Sequence, residues 1–262
     1  MSLAIAALLG VLQGLTEFLP VSSSGHLALA QMLVPGFTQP GVVFDAMLHV
    51  GTAGAVVWFE RREIGRWLTT AGGRRLLGLL LLGTAATAVV AFPVKSLAEE
   101  AFRKPMWVGI GLVVTALVVG STKRLAGGLR DESGITWRQA LVVGLTQGIA
   151  VFPGVSRSGM TIAVGLGAGL DRRWAARFSF LLGVPAIAGV AFLEVLGERD
   201  ALASAGSSYL LACLVGAICA GVAGYFALKI VLKTLSSRVF HRFAWYCLPL
   251  GLLVVVLTWG LM

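Results

Sequence analysis

Charge is what this chain has least of. Only 13% of its 262 residues are charged, where a soluble domain carries about a quarter. That scarcity, with a mean hydropathy of +0.89 and 57% hydrophobic residues, excludes an ordinary soluble globular domain. Cysteine is also scarce. Cys213, Cys219 and Cys247 all fall in apolar segments without disulfide or metal spacing, so a disulfide scaffold is excluded and plain packing is expected. The first three residues hold no basic residue, and the apolar stretch behind them contains Gln13 and Glu17. The opening segment is therefore expected to belong to the fold and not to a signal peptide.

What is present is a series of apolar runs near the length of a bilayer crossing, roughly 20 residues. They lie at about 42–59, 76–93, 105–122, 177–197, 208–228 and 243–261. The net charge of +9 sits in short loops between these runs, so a membrane topology signal is expected and a nucleic-acid partner is not.

The chain also repeats itself at an offset of 134. Gly10, Gln13, Gly14, Phe18, Val21, Ser22, Ser24 and Gly25 fall on Gly144, Gln147, Gly148, Phe152, Val155, Ser156, Ser158 and Gly159, eight identities in 16 positions. Phe44, Leu48, Val50, Val56 and Glu60 continue in register onto Phe178, Leu182, Val184, Val190 and Glu194. Shared apolar composition does not explain paired Gln, Ser and Glu. One membrane domain, 1–262, is expected, with repeat one over about 1–125 and repeat two over about 135–262.

Each repeat holds a motif segment and then three apolar runs. If both motif segments are re-entrant hairpins, one side of the membrane holds loops 60–75, 123–138, 171–177 and 229–242 with 16 Lys and Arg, and the other holds loops 94–104 and 198–206 with 4. If the second segment crosses once, the bias vanishes. The positive-inside rule favours the hairpins and puts both termini outside the cytoplasm. The expected fold is all-α and integral to the membrane: two inverted-topology repeats, each a re-entrant helical hairpin plus three transmembrane helices. Such repeats place ligand sites near the midplane on broken helices.

The first hairpin contains Gln13 and Glu17, four apart and so on one helix face. Pro20 then breaks the helix, and Ser22, Ser23 and Ser24 stand where a second half-helix would begin, followed by Gly25 and His26. The second hairpin repeats the plan with Pro153, Gly154, Ser156, Arg157, Ser158, Gly159 and Thr161. Helix N-termini present unpaired N–H groups that favour anions. With hydroxyls and an arginine fork, which binds phosphate oxygens in pairs, they make a phosphate cradle. The copies differ where reactive types appear: Glu17 falls on Val151, Ser23 on Arg157, His26 on Met160. Gln13 matches Gln147, which suggests a positioning role. A structural Glu17–Arg157 pair is the plain alternative to catalysis; caps are the alternative for the serines, and packing for His26. Asp45 and His49 share a face and either line the cavity or do not. Asp171 is expected as a helix cap, Arg61, Arg62, Arg74 and Arg75 as topology and headgroup contacts, and Gly165 and Gly169 as packing residues.

The segments from Gly14 to His26 and from Pro153 to Gly159, with Ser179-Phe180-Leu181-Leu182, resemble the undecaprenyl-pyrophosphate phosphatase family, also called the bacitracin-resistance family. The resemblance covers essentially the whole chain. It implies removal of one phosphate from a C55 isoprenoid pyrophosphate in a bacterial plasma membrane, which recycles the lipid carrier of peptidoglycan synthesis. It also implies Mg2+ or another divalent cation. Many members carry Glu where this chain has Gln13, so a two-carboxylate metal site is not carried over. On this reading Ser23 is the candidate nucleophile, Glu17 its base and His26 the acid on the leaving phosphate, with direct attack by water as the alternative. Arg157 and the half-helix N-termini stabilise charge, and Gln13, Ser22, Ser24, Ser156, Ser158 and Thr161 bind substrate. The partners expected are the polyprenyl pyrophosphate and membrane lipid; no motif specifies a homodimer and none excludes one. A polyprenyl-phosphate translocase, using the same anion cradle, and an anion channel are the rival readings.

Overall fold

The structure, a computed structural model, describes residues 1–33, 42–199, 202 and 205–259. Its elements are helices: α1 (Leu3–Phe18), α2 (Ser23–Leu33), α3 (Val42–Thr69), α4 (Ala71–Phe102), α5 (Pro105–Ser121), α6 (Trp137–Ile149), α7 (Arg157–Gly167), α8 (Arg172–Gly197), α9 (Ser207–Ser236) and α10 (Ala244–Thr258). Short 3-10 turns over Thr122–Arg124 and Phe240–Phe243 and one isolated bridge between Arg130 and Leu170 complete the described secondary structure.

Among the described residues, five helical segments are long and apolar enough to cross a membrane: Ala71–Phe102, Pro105–Arg124, Arg172–Gly197, Ser207–Ser236 and Phe240–Thr258. The chain is a multi-pass membrane protein. The sixth expected crossing, 42–59, lies in α3, which has 28 residues but carries Asp45 and His49 within the apolar run and Glu60, Arg61, Arg62 and Glu63 directly after it. The end of the last expected crossing, 260–261, lies outside the described residues, as do 200, 201, 203 and 204 of loop 198–206.

Several expected loops are helix instead. Residues 60–75 are helical but for Thr70, whose hydroxyl accepts from the Gly73 amide at 3.2 Å to cap α4. Residues 94–102 continue α4, and α9 runs to Ser236. Hydropathy marks where a helix leaves the apolar layer; Glu, Lys and Arg are good helix formers and let it continue into water. Asp171 caps α8 as expected, its carboxylate accepting from the Trp174 amide at 2.8 Å. Gly165 packs against Ala175. Gly169 packs through its backbone, its carbonyl oxygen lying 1.9 Å from where a Cβ on Gly128 would fall, and with φ of 89° it also serves the left-handed turn before α8.

The short helices lean on long helices of the other half. α1 packs along α9 and α6 along α4. Glycines permit the contact: a Cβ on Gly10 or Gly14 would fall 2.3 Å from the Gly216 carbonyl oxygen or 2.4 Å from that of Ala220, and one on Gly144 or Gly148 would fall 2.3 Å from that of Gly83 or 2.7 Å from that of Thr87. α3 and α8 cross between these pairs. They are tied by a buried ion pair in which the Arg177 Nε donates to Glu60 Oε1 at 2.8 Å and Nη2 to Oε2. The Arg177 guanidinium also stacks on Trp174 at 4.6 Å and Trp67 at 5.8 Å. Arg177, expected in a basic loop, is therefore an interior residue; its fork needs a carboxylate, and Glu60 supplies it.

Candidate active site

α1 ends at Phe18, and the chain reverses over 19–22 ahead of α2. Ser22 takes the left-handed region, φ 70°, a conformation uncommon outside glycine. Its hydroxyl accepts from the Gly25 amide at 3.2 Å and so caps α2. In the second hairpin Ser156 does the same for α7, accepting from Gly159 at 3.1 Å, but there the left-handed residue is Gly154, φ 80°. At the offset of 134, Gly154 falls on Pro20, whose ring locks φ negative. The first copy must make its left-handed step elsewhere, and it makes it at Ser22, next to the reactive serine.

The two turns interlock. A Cβ on Gly25 would come within 3.2 Å of Gly154 Cα, and one on Gly159 within 3.2 Å of Pro20 Cβ. The Ser158 hydroxyl donates to the Leu19 carbonyl at 3.3 Å, and the Ser156 amide donates to the Thr115 hydroxyl at 2.8 Å. The hydroxyl pairs Ser22–Ser24 and Ser156–Ser158 both stand at 3.3 Å.

Glu17 is the centre, 6% exposed. Its Oε2 accepts from Ser23 Oγ at 2.6 Å and from Gln13 Nε2 at 2.9 Å. Its Oε1 accepts from Arg157 Nη2 at 2.8 Å. His49 Nε2 stands 3.7 Å from Oε2. The His49 Nδ1 is 2.8 Å from the Asp45 carbonyl oxygen; a carbonyl only accepts, so this nitrogen carries the proton and Nε2 faces Glu17. The fold thus joins Gln13, Glu17, Ser23 and Arg157, two from α1 and one from the start of each following half-helix.

The repeat explains how Arg157 fits. Ser23 falls on Arg157 and His49 on Gly183. In the first copy a small residue faces a large one; in the second, a large one faces none. A Cβ on Gly183 would lie 1.9 Å from Arg157 Nη1. The guanidinium occupies that space and also donates to the Ser179 carbonyl at 3.5 Å.

The other candidates sit around this centre. His26 does not touch Ser23. Its Nδ1 donates to the Ser22 carbonyl at 2.8 Å, and its Nε2 is 2.7 Å from the Tyr246 hydroxyl on α10. Thr161 is fully buried, bonded to Ser179 Oγ at 2.6 Å and donating to the Arg157 carbonyl at 2.7 Å; it braces the turn that carries Arg157. Ser24 is half-buried, whereas Ser22, Ser156 and Ser158 are buried caps and cross-ties. Gln147, the mate of Gln13, ties α6 to Thr87 and the Leu182 carbonyl. The sequence offered His49 only as half of an i, i+4 pair with Asp45, and it offered no local signal for Tyr246, Thr115 or Gly183.

Oxygen donors for a divalent cation are present. The Gln13 amide must turn its NH2 to the Glu17 carboxylate, which leaves Oε1 buried without a hydrogen-bond partner. That oxygen and the neighbouring carboxylate suit Mg2+, which binds one or two protein oxygens and completes its shell with water and substrate phosphate. Among the described residues no group of three His, Cys, Asp or Glu is placed to hold a metal alone.

Comparison with known proteins gives one consistent result. Residues 6–253 match the family described as Bacitracin resistance protein BacA. The undecaprenyl-diphosphatase of Desulfosudis oleivorans is 41% identical, over 93% of this chain and 94% of that one. That of Syntrophotalea carbinolica is 40% identical over 96% and 97%, and that of Methanosphaera stadtmanae 36% over 97% of each. With both hairpins inside the matched residues and relatives aligned nearly end to end, this chain belongs to the bacitracin resistance protein BacA family.

Proposed function

We propose that the protein hydrolyses undecaprenyl pyrophosphate to undecaprenyl phosphate and phosphate, as the names of its relatives describe for them. The observation that carries this reading is the short hydrogen bond from Ser23 to Glu17, 2.6 Å, on a carboxylate whose other oxygen meets Arg157 at 2.8 Å. A hydroxyl on a base beside a guanidinium is a nucleophile, its activator and an anion stabiliser.

Substrate binding draws Arg157 onto the pyrophosphate and frees Glu17 for Ser23. Ser23 Oγ attacks the terminal phosphorus in line and passes its proton to Glu17. The bond to the bridging oxygen breaks, and undecaprenyl phosphate leaves as an anion; for His26 to protonate it, the ring must exchange its Tyr246 partner for the leaving oxygen. Water then cleaves the phosphoserine. The capped N-termini of α2 and α7 offer amides to the phosphate oxygens; Ser22, Ser156, Ser158 and Thr161 hold those termini in place, and Ser24 faces the bound head. A divalent cation held by Gln13 and Glu17 would neutralise phosphate charge. A translocase needs the cradle but has no use for the Ser23–Glu17 pair, so the geometry favours the enzyme.

The same proposal includes inverted repeats forming one membrane domain. Its support is the reciprocal packing: each half's first helix leans by two glycines on the fourth helix of the other half, and each turn glycine meets the opposite turn. α1 and α6 have 16 and 13 residues, about 24 and 20 Å at 1.5 Å per residue, short of a core of roughly 30 Å. These lengths support reading both motif segments as re-entrant hairpins, and on the positive-inside rule we place the protein in a bacterial plasma membrane with both termini outside the cytoplasm.

The test is phosphate release from undecaprenyl pyrophosphate by purified protein in detergent, with and without Mg2+. Wild type is expected to turn over, and Glu17→Gln and Arg157→Lys to lose about a hundredfold or more. Rapid quench is expected to trap phosphoserine at Ser23; normal turnover without it gives the attack to water. Folded wild-type protein that binds the lipid and releases no phosphate under any divalent ion would sink the hydrolase reading.

A further inference from the structure

Away from the Glu17 site, a groove of about 830 Å³ runs between α3 and α9. Val50, Gly54 and Trp58 line one wall, and Ile218, Val222 and Phe226 the other. Val50 and Trp58 on α3, and Ile218, Val222 and Phe226 on α9, are all exposed. The groove therefore opens to the surroundings and not to Glu17. Gly54 is exposed, with nothing within 4 Å of its missing Cβ, and it deepens the groove.

One end of the groove is cationic. The Arg61 guanidinium lies 4.3 Å above the Trp58 ring, and Lys229 Nζ lies 4.4 Å from Tyr225 and 5.8 Å from Phe226. These rings line the groove, so the cations sit at its mouth. Both are exposed, and neither is ion-paired with a described residue. Arg61 uses one donor on the Trp58 carbonyl, 2.8 Å away; a guanidinium has five. Aromatic residues beside cations mark a membrane interface. From Val50 to Trp58 is about 12 Å of helix rise, close to the roughly 15 Å hydrocarbon depth of one leaflet.

We propose that this groove binds an anionic glycerophospholipid, acyl chain along Val50, Gly54, Ile218 and Val222, and phosphate between Arg61 and Lys229. The apolar wall, with two exposed cations at one end that form no ion pair with a described residue, fits an anionic headgroup attached to an acyl chain of a single leaflet. A second copy of the protein would leave those cations unmatched. The proposal is independent of the reaction at Glu17, and it is tested by binding.

The experiment is native mass spectrometry of the detergent-purified full chain with phosphatidylglycerol and, separately, phosphatidylethanolamine of the same acyl chains. Phosphatidylglycerol is expected to be retained preferentially. Arg61→Gln or Lys229→Gln should each weaken it about fivefold, and the pair about twentyfold. Gly54→Leu, which fills open space, should reduce retention of both lipids while leaving phosphate release unchanged. Equal retention of the two lipids, or unchanged phosphatidylglycerol binding in the double variant, would overturn the proposal. So would displacement of phosphatidylglycerol by undecaprenyl phosphate at equal concentration, or a dimer that Gly54→Leu abolishes.

Discussion

At the scale of single residues, the site is made by substitutions between two copies of one scaffold. The shared residues cap and brace: Ser22 and Ser156, Gly25 and Gly159. The unshared ones, Glu17, Ser23 and Arg157, meet at one carboxylate. Gly183 is the least conspicuous member of the set. Its missing side chain is the space in which Arg157 lies. Gly183→Ala is therefore expected to push the guanidinium aside. The displaced atoms are the far end of a flexible side chain, so the fold should hardly notice, with a change in thermal midpoint of about 2 °C or less. Turnover should fall at least about tenfold, because the fork no longer reaches the phosphate geometry it is needed for. Parallel unfolding and phosphate-release measurements check this; full activity in Gly183→Ala would remove Arg157 from the chemistry.

At the scale of elements, the contrasting case is Gly14. A Cβ there meets the Ala220 carbonyl oxygen at 2.4 Å and the Gly224 nitrogen at 2.8 Å, both backbone and unable to yield. Gly14→Val should lift α1 off α9, costing about 1–3 kcal/mol, and should carry Gln13 and Glu17 with it, so stability and turnover fall together. Thermal unfolding in detergent beside a kcat measurement separates this outcome from that of Gly183→Ala. The glycines were legible in the sequence as part of the repeated motif, as were the helix break at Pro20, the caps and the shared face of Gln13 and Glu17, because each is a local rule of spacing and residue type. What they pack against was not legible. Neither was the pairing of His26 with Tyr246, 220 residues on, nor that of Glu60 with Arg177, since partners across a helical bundle are chosen by packing. Helix ends beyond the apolar layer were misplaced for a related reason: composition records the membrane boundary, and the helix passes through it.

At the scale of the whole molecule, the buried Glu60–Arg177 pair takes one cation out of the loop count, and Arg75, which donates to the Ser133 and Ile135 carbonyls, ties its loop to the start of α6. The remaining basic residues still gather at one end of the long helices, where α3 meets α4, before α6 and after α9. If α3 crosses as well, so that each half crosses an odd number of times, and if the hairpins do not cross, the connection near residue 133 lies opposite the N-terminus. Ser2 and Ser133 are both exposed and report on this directly. In cells, a membrane-impermeant maleimide is expected to label Ser2→Cys at once and Ser133→Cys only after permeabilisation. The native thiols give little background, Cys213 and Cys247 being buried and Cys219 partly so. Labelling of both positions from outside would mean that the first segment crosses fully, and the site could then not be built from two half-helices meeting from opposite faces. Labelling of Ser133→Cys alone would invert the whole molecule and set its basic end outward, against the charge asymmetry that membrane insertion obeys.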